Sequence, residues 1–242
     1  MIDFLCIGAQ KCGTTLLYQQ LKTIDKIYMP NTKEIHFFDN SQHYCQGKKY
    51  YLKNFDGATV EQLKGEITPA YLFIEHVPLR IKQFLNGKDI KFIVLLRNPV
   101  DRAYSHYQMM TKIQKKEMLN FEQALIYESF RLKEHHDIIN FTYIKRGFYA
   151  KQILNYFKYF KKEQFIFIIY EDFVNNQVEY INKIVSFLGL DQRVNIESKK
   201  IFENHYEKMN QSTRAILYQI YQHDINILEN ILDMDLSSWK EK

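Results

Sequence analysis

Cysteine, glycine and proline are scarce in this sequence, and each shortage closes off a class of protein. Three cysteines, Cys6, Cys12 and Cys45, match neither the spacing of a zinc site nor a disulfide framework. A reducing compartment, the cytoplasm, is therefore expected. With 8 glycines and 4 prolines there is no collagen-like, low-complexity or linker-rich stretch. No repeat recurs at a period of roughly 20–50 residues, which excludes solenoids and propellers. No apolar run reaches the roughly 18 residues of a membrane span. The opening segment Met1 to Gly8 lacks the basic start and long apolar centre of a secretory signal. Excess charge is also small. Lys and Arg total 33 against 28 Asp and Glu, giving +5 spread along the chain. That balance suits an anionic ligand and does not imply nucleic-acid binding.

What is present is an ordinary globular composition, 46% hydrophobic and 25% charged over 242 residues, enough for one domain over residues 1–242 with a real core. Apolar runs of strand length alternate with stretches of helical period, so an α/β fold with a central parallel sheet flanked by helices is expected. Strands are expected at Asp3 to Ile7, Gly65 to Thr68, Lys91 to Leu96 and Gln164 to Tyr170. Helices are expected near 76–86, 121–134, 148–160, 176–188 and 211–232, with Gly189 stopping the fourth. The span 25–60 reads as a long irregular insertion, the kind of loop that often carries function.

The first strand ends at Gly8-Ala9-Gln10-Lys11-Cys12-Gly13-Thr14-Thr15, in which a glycine, four residues and a second glycine precede two hydroxyl residues at a helix start. Backbone N–H groups and the positive end of a helix converge there, and glycine lets an oxyanion approach the main chain. A phosphate or sulfate is expected at this loop. The lysine that nucleotide triphosphatases place after the second glycine is Thr14 here, and the nearest lysine is Lys11 inside the loop. A second anion site is expected where Arg97-Asn98-Pro99 closes the strand at Lys91 to Leu96 and Ser105 follows about two helical turns on. Ligands of open α/β sheets collect at the carboxyl ends of strands, where Arg97 would donate in bidentate fashion and Ser105 through its hydroxyl. Two such sites point to a doubly phosphorylated nucleotide.

These motifs resemble those of the sulfotransferases that use 3′-phosphoadenosine 5′-phosphosulfate (PAPS), most closely the heparan sulfate and bacterial carbohydrate-type branch. Ile7 to Thr15 resembles the family's 5′-phosphosulfate loop, and Leu96 to Pro99 with Asp101 to Tyr107 resembles its 3′-phosphate motif. Lys33-Glu34-Ile35-His36-Phe37-Phe38-Asp39 is similar to the segment carrying the catalytic glutamate, and Gly65 to Tyr71 to the substrate-side strand. Arg146 to Tyr149, Tyr170 to Phe173 and the C-terminal tail extend the likeness over nearly the whole chain. The resemblance implies a P-loop-type fold, PAPS as co-substrate, and Lys11, Cys12, Gly13, Thr14, Thr15, Arg97 and Ser105 as its contacts. It implies Glu34 as general base toward an acceptor hydroxyl or amine, Lys11 at the bridging oxygen of the leaving group, and His36 orienting Glu34 or the acceptor.

No metal is expected, because a sulfuryl group carries less negative charge than a terminal phosphoryl group. The acceptor classes open are carbohydrate, glycolipid and small hydroxylated metabolite, and oligomeric state is not readable. In one respect the sequence departs from the heparan sulfate enzymes: the lysine that follows their strand glutamate is Ile67 here, with Lys33 the nearest substitute. Glu66, by this pattern, has no base role. Lys199 and Lys200 stand where the family closes a loop over the adenine, although the match there is poor and a solvated charge pair is the alternative; Tyr44, Tyr50, Tyr51, Phe55 and Tyr71 fall in segments expected to face the acceptor, with packing in the core an equal alternative. Two other classes compete. A P-loop kinase or nucleotide triphosphatase would use the acidic Glu171-Asp172 for magnesium, against which Thr14 argues, and a catalytically silent nucleotide-binding module would suit the loss of lysine at Ile67.

Overall fold

The computed structural model describes residues 1–133, 140–191, 193–198 and 207–240. In chain order the elements are β1 (Phe4–Gly8), α1 (Thr14–Leu21), β2 (Ile27–Tyr28), α2 (Ser41–Cys45), α3 (Gly47–Leu52), β3 (Leu63–Ile67), α4 (Val77–Leu85), β4 (Lys91–Leu96) and α5 (Pro99–Gln108). Then follow α6 (Phe121–Lys133), α7 (Tyr149–Phe157), β5 (Phe165–Ile169), α8 (Tyr170–Asn175), α9 (Gln177–Leu188) and α10 (Gln211–Leu232). The five strands form one all-parallel sheet in the order β2-β3-β1-β4-β5. This is the expected α/β class. β1 and β4 are apolar along their length because a parallel sheet is covered on both faces, and Phe4, Leu5, Phe92, Ile93 and Val94 are fully buried.

The order places β1 between β3 and β4, and successive crossovers leave the sheet centre in opposite directions. The β1 carboxyl end therefore lies at the topological switch point, where such sheets bind ligands. The Ala9 N–H donates to the Leu95 carbonyl at 2.6 Å, which ties the start of the glycine loop to β4.

The described chain divides into two compact units, one of Met1–Leu96 with the segment from Asn155, the other of Arg97–Leu154 with the C-terminal helix. The sheet lies in the first. A cluster of aromatic rings backs its β3 side, with Phe37 and Tyr51 centred 4.7 Å apart and Phe38 and Phe84 5.3 Å apart. In the second unit the Asn98 side chain caps α5 by accepting the Val100 N–H at 3.0 Å, with Pro99 at the first helical position. Buried Glu128 accepts the N–H groups of Tyr143, Ile144 and Lys145 at 2.8, 2.6 and 2.9 Å, and buried Arg102 donates to the Tyr143 carbonyl.

Sequence and structure part in two places. The span 25–60 is not irregular throughout, since it holds β2, α2 and α3. The last strand stops at Ile169, and Tyr170, Glu171 and Asp172 form the first turn of α8. Lys199 and Lys200 lie outside the described residues. Among the described residues no helix is long and apolar enough to cross a membrane.

Candidate active site

The glycine loop is built as the sequence requires. Gly13 stands at φ 82°, and a Cβ there would come within 2.9 Å of the Tyr170 ring, so the position takes only glycine without strain. Gly8 is equally confined, since a Cβ would sit 2.7 Å from that of Leu72. The first helical bond of α1 runs from the Leu17 N–H to the Gly13 carbonyl at 3.0 Å, so the amides of Thr14, Thr15 and Leu16 precede the helical ladder. Thr14 is buried and Thr15 exposed. Cys12 is the least suited of the expected contacts, because its side chain is buried and its N–H turns back to the Ala9 carbonyl at 3.3 Å.

The segment Lys33 to Asp39 forms a turn beside the carboxyl end of β3, tied there by the Glu34 N–H on the Ile67 carbonyl at 3.2 Å. Phe37 and Phe38 are its anchors, both buried in the aromatic cluster. Between these anchors the polar side chains converge. Lys33 Nζ lies 2.6 Å from Glu34 Oε1, His36 Nε2 lies 3.4 Å from Glu34 Oε2, and His36 Nδ1 lies 2.7 Å from Asp39 Oδ2. Glu34 keeps 39% of its side chain exposed, whereas the Asp39 side chain is 1% exposed. His36 thus bridges a buried carboxylate and an accessible one.

The charges follow from this geometry. Burial pushes the Glu34 carboxyl up, but hydrogen bonds from His36 and Lys33 outweigh it and hold the group down at about 2. His36 is raised to about 10, first by Asp39 and then by Glu34, against the opposing effect of burial. At neutral pH Glu34 is therefore ionised and His36 protonated.

Backbone conformation singles out the same residues. Six non-glycine residues among those described have φ in the left-handed region: Lys11 (70°), Glu34 (65°), His36 (50°), Asn86, Lys115 and Asp233. Asn86 and Asp233 are helix C-caps, where such a φ ends a helix. Lys115 directly follows the C-cap of the short helical turn Met109–Ile113, where the Lys116 N–H closes on the Met110 carbonyl at 2.9 Å, whereas Lys11, Glu34 and His36 end no helix. Each forfeits about 1–2 kcal/mol that a right-handed conformation would keep, and strain of this kind gathers at functional sites. They are the three residues to which the sequence reading gives catalytic roles.

Arg97 directly follows β4, and its carbonyl accepts the Tyr149 hydroxyl at 3.0 Å. Ser105 is buried two turns into α5. Sequence reasoning missed Asp39 as a site residue, because a carboxylate three residues past a histidine in a loop carries no periodic signal. Of the two readings open for the aromatic residues, acceptor or core, the core one holds for three. Tyr51, Phe55 and Tyr71 are buried rather than turned to an acceptor, and only Tyr44 and Tyr50 are part-exposed. Ile67 is 1% exposed, a core residue of β3.

A parallel sheet whose central strand feeds a glycine loop and a helix N-terminus defines the P-loop class of anion-binding α/β proteins. Within that class the chain belongs to the sulfotransferase domain family, which matches residues 1–230. It is 27% identical over 192 residues to heparan sulfate glucosamine 3-O-sulfotransferase 5 of Mus musculus, covering 78% of this chain and 54% of that protein. It is 30% identical over 187 residues to the 3-O-sulfotransferase 3B1 of Mus musculus, covering 77% of this chain and 45% of that one. The chain spans about half the length of these curated relatives. A crystal structure of a sulfotransferase from Alicyclobacillus acidocaldarius matches with a TM-score of 0.88 at 28% identity, over 100% of this chain and 99% of that one.

Proposed function

We propose that this chain, as one sulfotransferase domain, moves a sulfuryl group from PAPS to a hydroxyl of an acceptor, a carbohydrate or glycolipid, with Glu34 as general base. The observation that carries the reading is the left-handed conformation shared by Lys11, Glu34 and His36, none of them a helix cap. The loop fits the co-substrate. Its glycines admit no Cβ, its helix N-terminus offers the amides of Thr14 and Thr15, and Lys11 adds a cation. Arg97 and Ser105 take the 3′-phosphate, as the family resemblance assigns them.

PAPS, when bound, supplies a sulfuryl group on a phosphate leaving group. Lys11 and the loop amides stabilise the negative charge left on the bridging oxygen, where a preorganised donor is worth about 3–4 kcal/mol. Glu34, held ionised by Lys33 and His36, accepts the acceptor's proton. A carboxyl with a pKa of about 2 cannot strip a sugar hydroxyl in advance, so the proton moves as the oxygen–sulfur bond forms. The same low value returns that proton to water promptly and restores the base. Asp39 keeps His36 protonated, and His36⁺ with Lys33⁺ supplies the positive charge that Ile67 does not.

Calorimetry with adenosine 3′,5′-bisphosphate against adenosine 5′-phosphate, both in excess chelator, tests the nucleotide assignment. The bisphosphate should bind at least tenfold tighter. Equal affinities reject it.

A further inference from the structure

Glu66 sits beneath the Glu34 turn with no part in the chemistry so far described, yet it is 1% exposed and saturated with hydroxyl donors. Tyr51 donates to its Oε1 at 2.7 Å, Tyr71 to the same oxygen at 3.1 Å, and Thr68 to Oε2 at 2.9 Å. A buried carboxylate is costly, and three donors reduce that cost without a cation. Apolar side chains would fill the space more cheaply, so the carboxylate is expected to do something they cannot.

Tyr71 shows what that is. A phenolic hydroxyl has one proton and two lone pairs. Glu66 takes the proton, which turns both lone pairs toward donors. The Phe37 N–H fills one at 3.0 Å and the Phe38 N–H approaches the other at 3.4 Å. These are the two amides directly after His36. Tyr71 is itself fixed, since the Tyr156 hydroxyl donates to its carbonyl at 2.9 Å. Glu66 thereby makes the Tyr71 hydroxyl an acceptor, and that acceptor grips the turn where its backbone must stay strained. The remaining ties on the turn are the Glu34 N–H on Ile67, His43 on the His36 carbonyl at 2.9 Å, and Arg80 on the Phe38 carbonyl at 2.9 Å. None of them holds the Phe37 and Phe38 amides.

We infer that Glu66 and Tyr71 are positioning residues that hold Glu34 and His36 in their left-handed conformations and so set the base toward the acceptor. The inference rests on the reading of Glu34 as base, and it adds a role to a carboxylate for which the family resemblance provides none.

Tyr71→Phe and Tyr51→Phe separate positioning from mere stability. Each removes one hydroxyl from Glu66, but only the Tyr71 hydroxyl bonds the turn, and the ring contacts of Tyr51 with Phe37 and Phe38 survive in Tyr51→Phe. Both variants should lose similar melting temperature. Tyr71→Phe should lower kcat by about tenfold or more with the KM for PAPS within about threefold, while Tyr51→Phe keeps kcat within about threefold. In the nucleotide-free protein, the NMR titration of the His36 ring, expected near 10 in the wild type, should fall by about one pH unit or more in Tyr71→Phe only. Equal kcat and equal His36 titration in the two variants overturn the inference. Should Tyr71→Phe not fold, Glu66→Met removes the acceptor at similar bulk and Glu66→Gln retains it; a kcat and a His36 titration that are the same in both overturn it equally. If the wild type transfers nothing from PAPS, the proposed function fails, and the His36 titration alone decides the positioning.

Discussion

Replacing Glu34 by glutamine removes one charge and one proton acceptor while keeping the shape of the side chain. In the structure both carboxylate oxygens face donors, Lys33 Nζ at 2.6 Å and His36 Nε2 at 3.4 Å. A glutamine amide has one oxygen for two such donors. Its oxygen goes to Lys33, the shorter contact, and its NH₂ then meets His36 Nε2, which can receive it only as a neutral imidazole. The His36 titration should therefore drop from about 10, yet stay above the ordinary value because Asp39, its largest support, remains. Stability should change by about 0–1 kcal/mol, since a pair with Glu34 39% exposed is screened by solvent. Turnover should fall about 10²–10⁴-fold, roughly 3–5 kcal/mol of barrier, because no group remains to take the acceptor proton. Affinity for adenosine 3′,5′-bisphosphate should hold within about twofold. Steady-state rates from PAPS, calorimetry and a melting curve on the same preparation decide the matter. A variant that keeps more than about a third of wild-type turnover refutes the base assignment, and a dead Glu66→Gln beside an active Glu34→Gln would move the base to β3.

Other consequences are as direct. Arg97→Ala should weaken binding of adenosine 3′,5′-bisphosphate by about 2–5 kcal/mol and Ser105→Ala by about 1 kcal/mol, read by calorimetry. Lys11→Ala should lower kcat far more than nucleotide affinity, because its charge acts on an oxygen that becomes negative only during transfer; parallel losses would make it a plain ground-state ligand. Gly13→Ala should destabilise the protein and abolish nucleotide binding, as φ 82° and the Tyr170 ring leave no room for a methyl group. Burial raises the Glu66 carboxyl to about 7. The folded state thus holds a proton that the unfolded state releases near 4.5, so stability should fall between pH 4.5 and 7 and level off above. Urea titrations at pH 5 and pH 8 should show this slope in the wild type and a shallower one in Glu66→Gln.

Where the sequence spoke plainly, it did so through physics that acts locally. β4 is read to the residue because Phe92 to Leu96, after Lys91, is unbroken in apolar character and stopped by Arg97-Asn98-Pro99. Gly189 ends α9 at φ 92°, as a helix-terminating glycine should. β2 escaped because two residues, Ile27 and Tyr28, carry no period. α2 and α3 escaped because each is short and polar on its outer face, and they form on the aromatic cluster rather than by propensity. The left-handed conformations of Lys11, Glu34 and His36 are invisible in sequence, since nothing about these residue types marks them. The turn that holds Glu34 and His36 is tied by β3, Tyr71 and Arg80, residues distant in the chain. Tyr51 and Tyr71 stay open between acceptor and core in the sequence for a related reason. Tyrosine is amphipathic, and only the position of Glu66 decides that their hydroxyls turn inward.

Sulfuryl transfer itself is the most direct test. The measurement is incubation of the protein with sulfur-labelled PAPS and a panel of saccharides, glycolipids and small hydroxylated metabolites in excess chelator, following labelled acceptor and released adenosine 3′,5′-bisphosphate. The expected result is label on at least one acceptor, one nucleotide released per group transferred, full rate without free divalent metal, and loss of both signals in Glu34→Gln. Magnesium-dependent turnover of a nucleoside triphosphate, with no label moving to any acceptor, would contradict it.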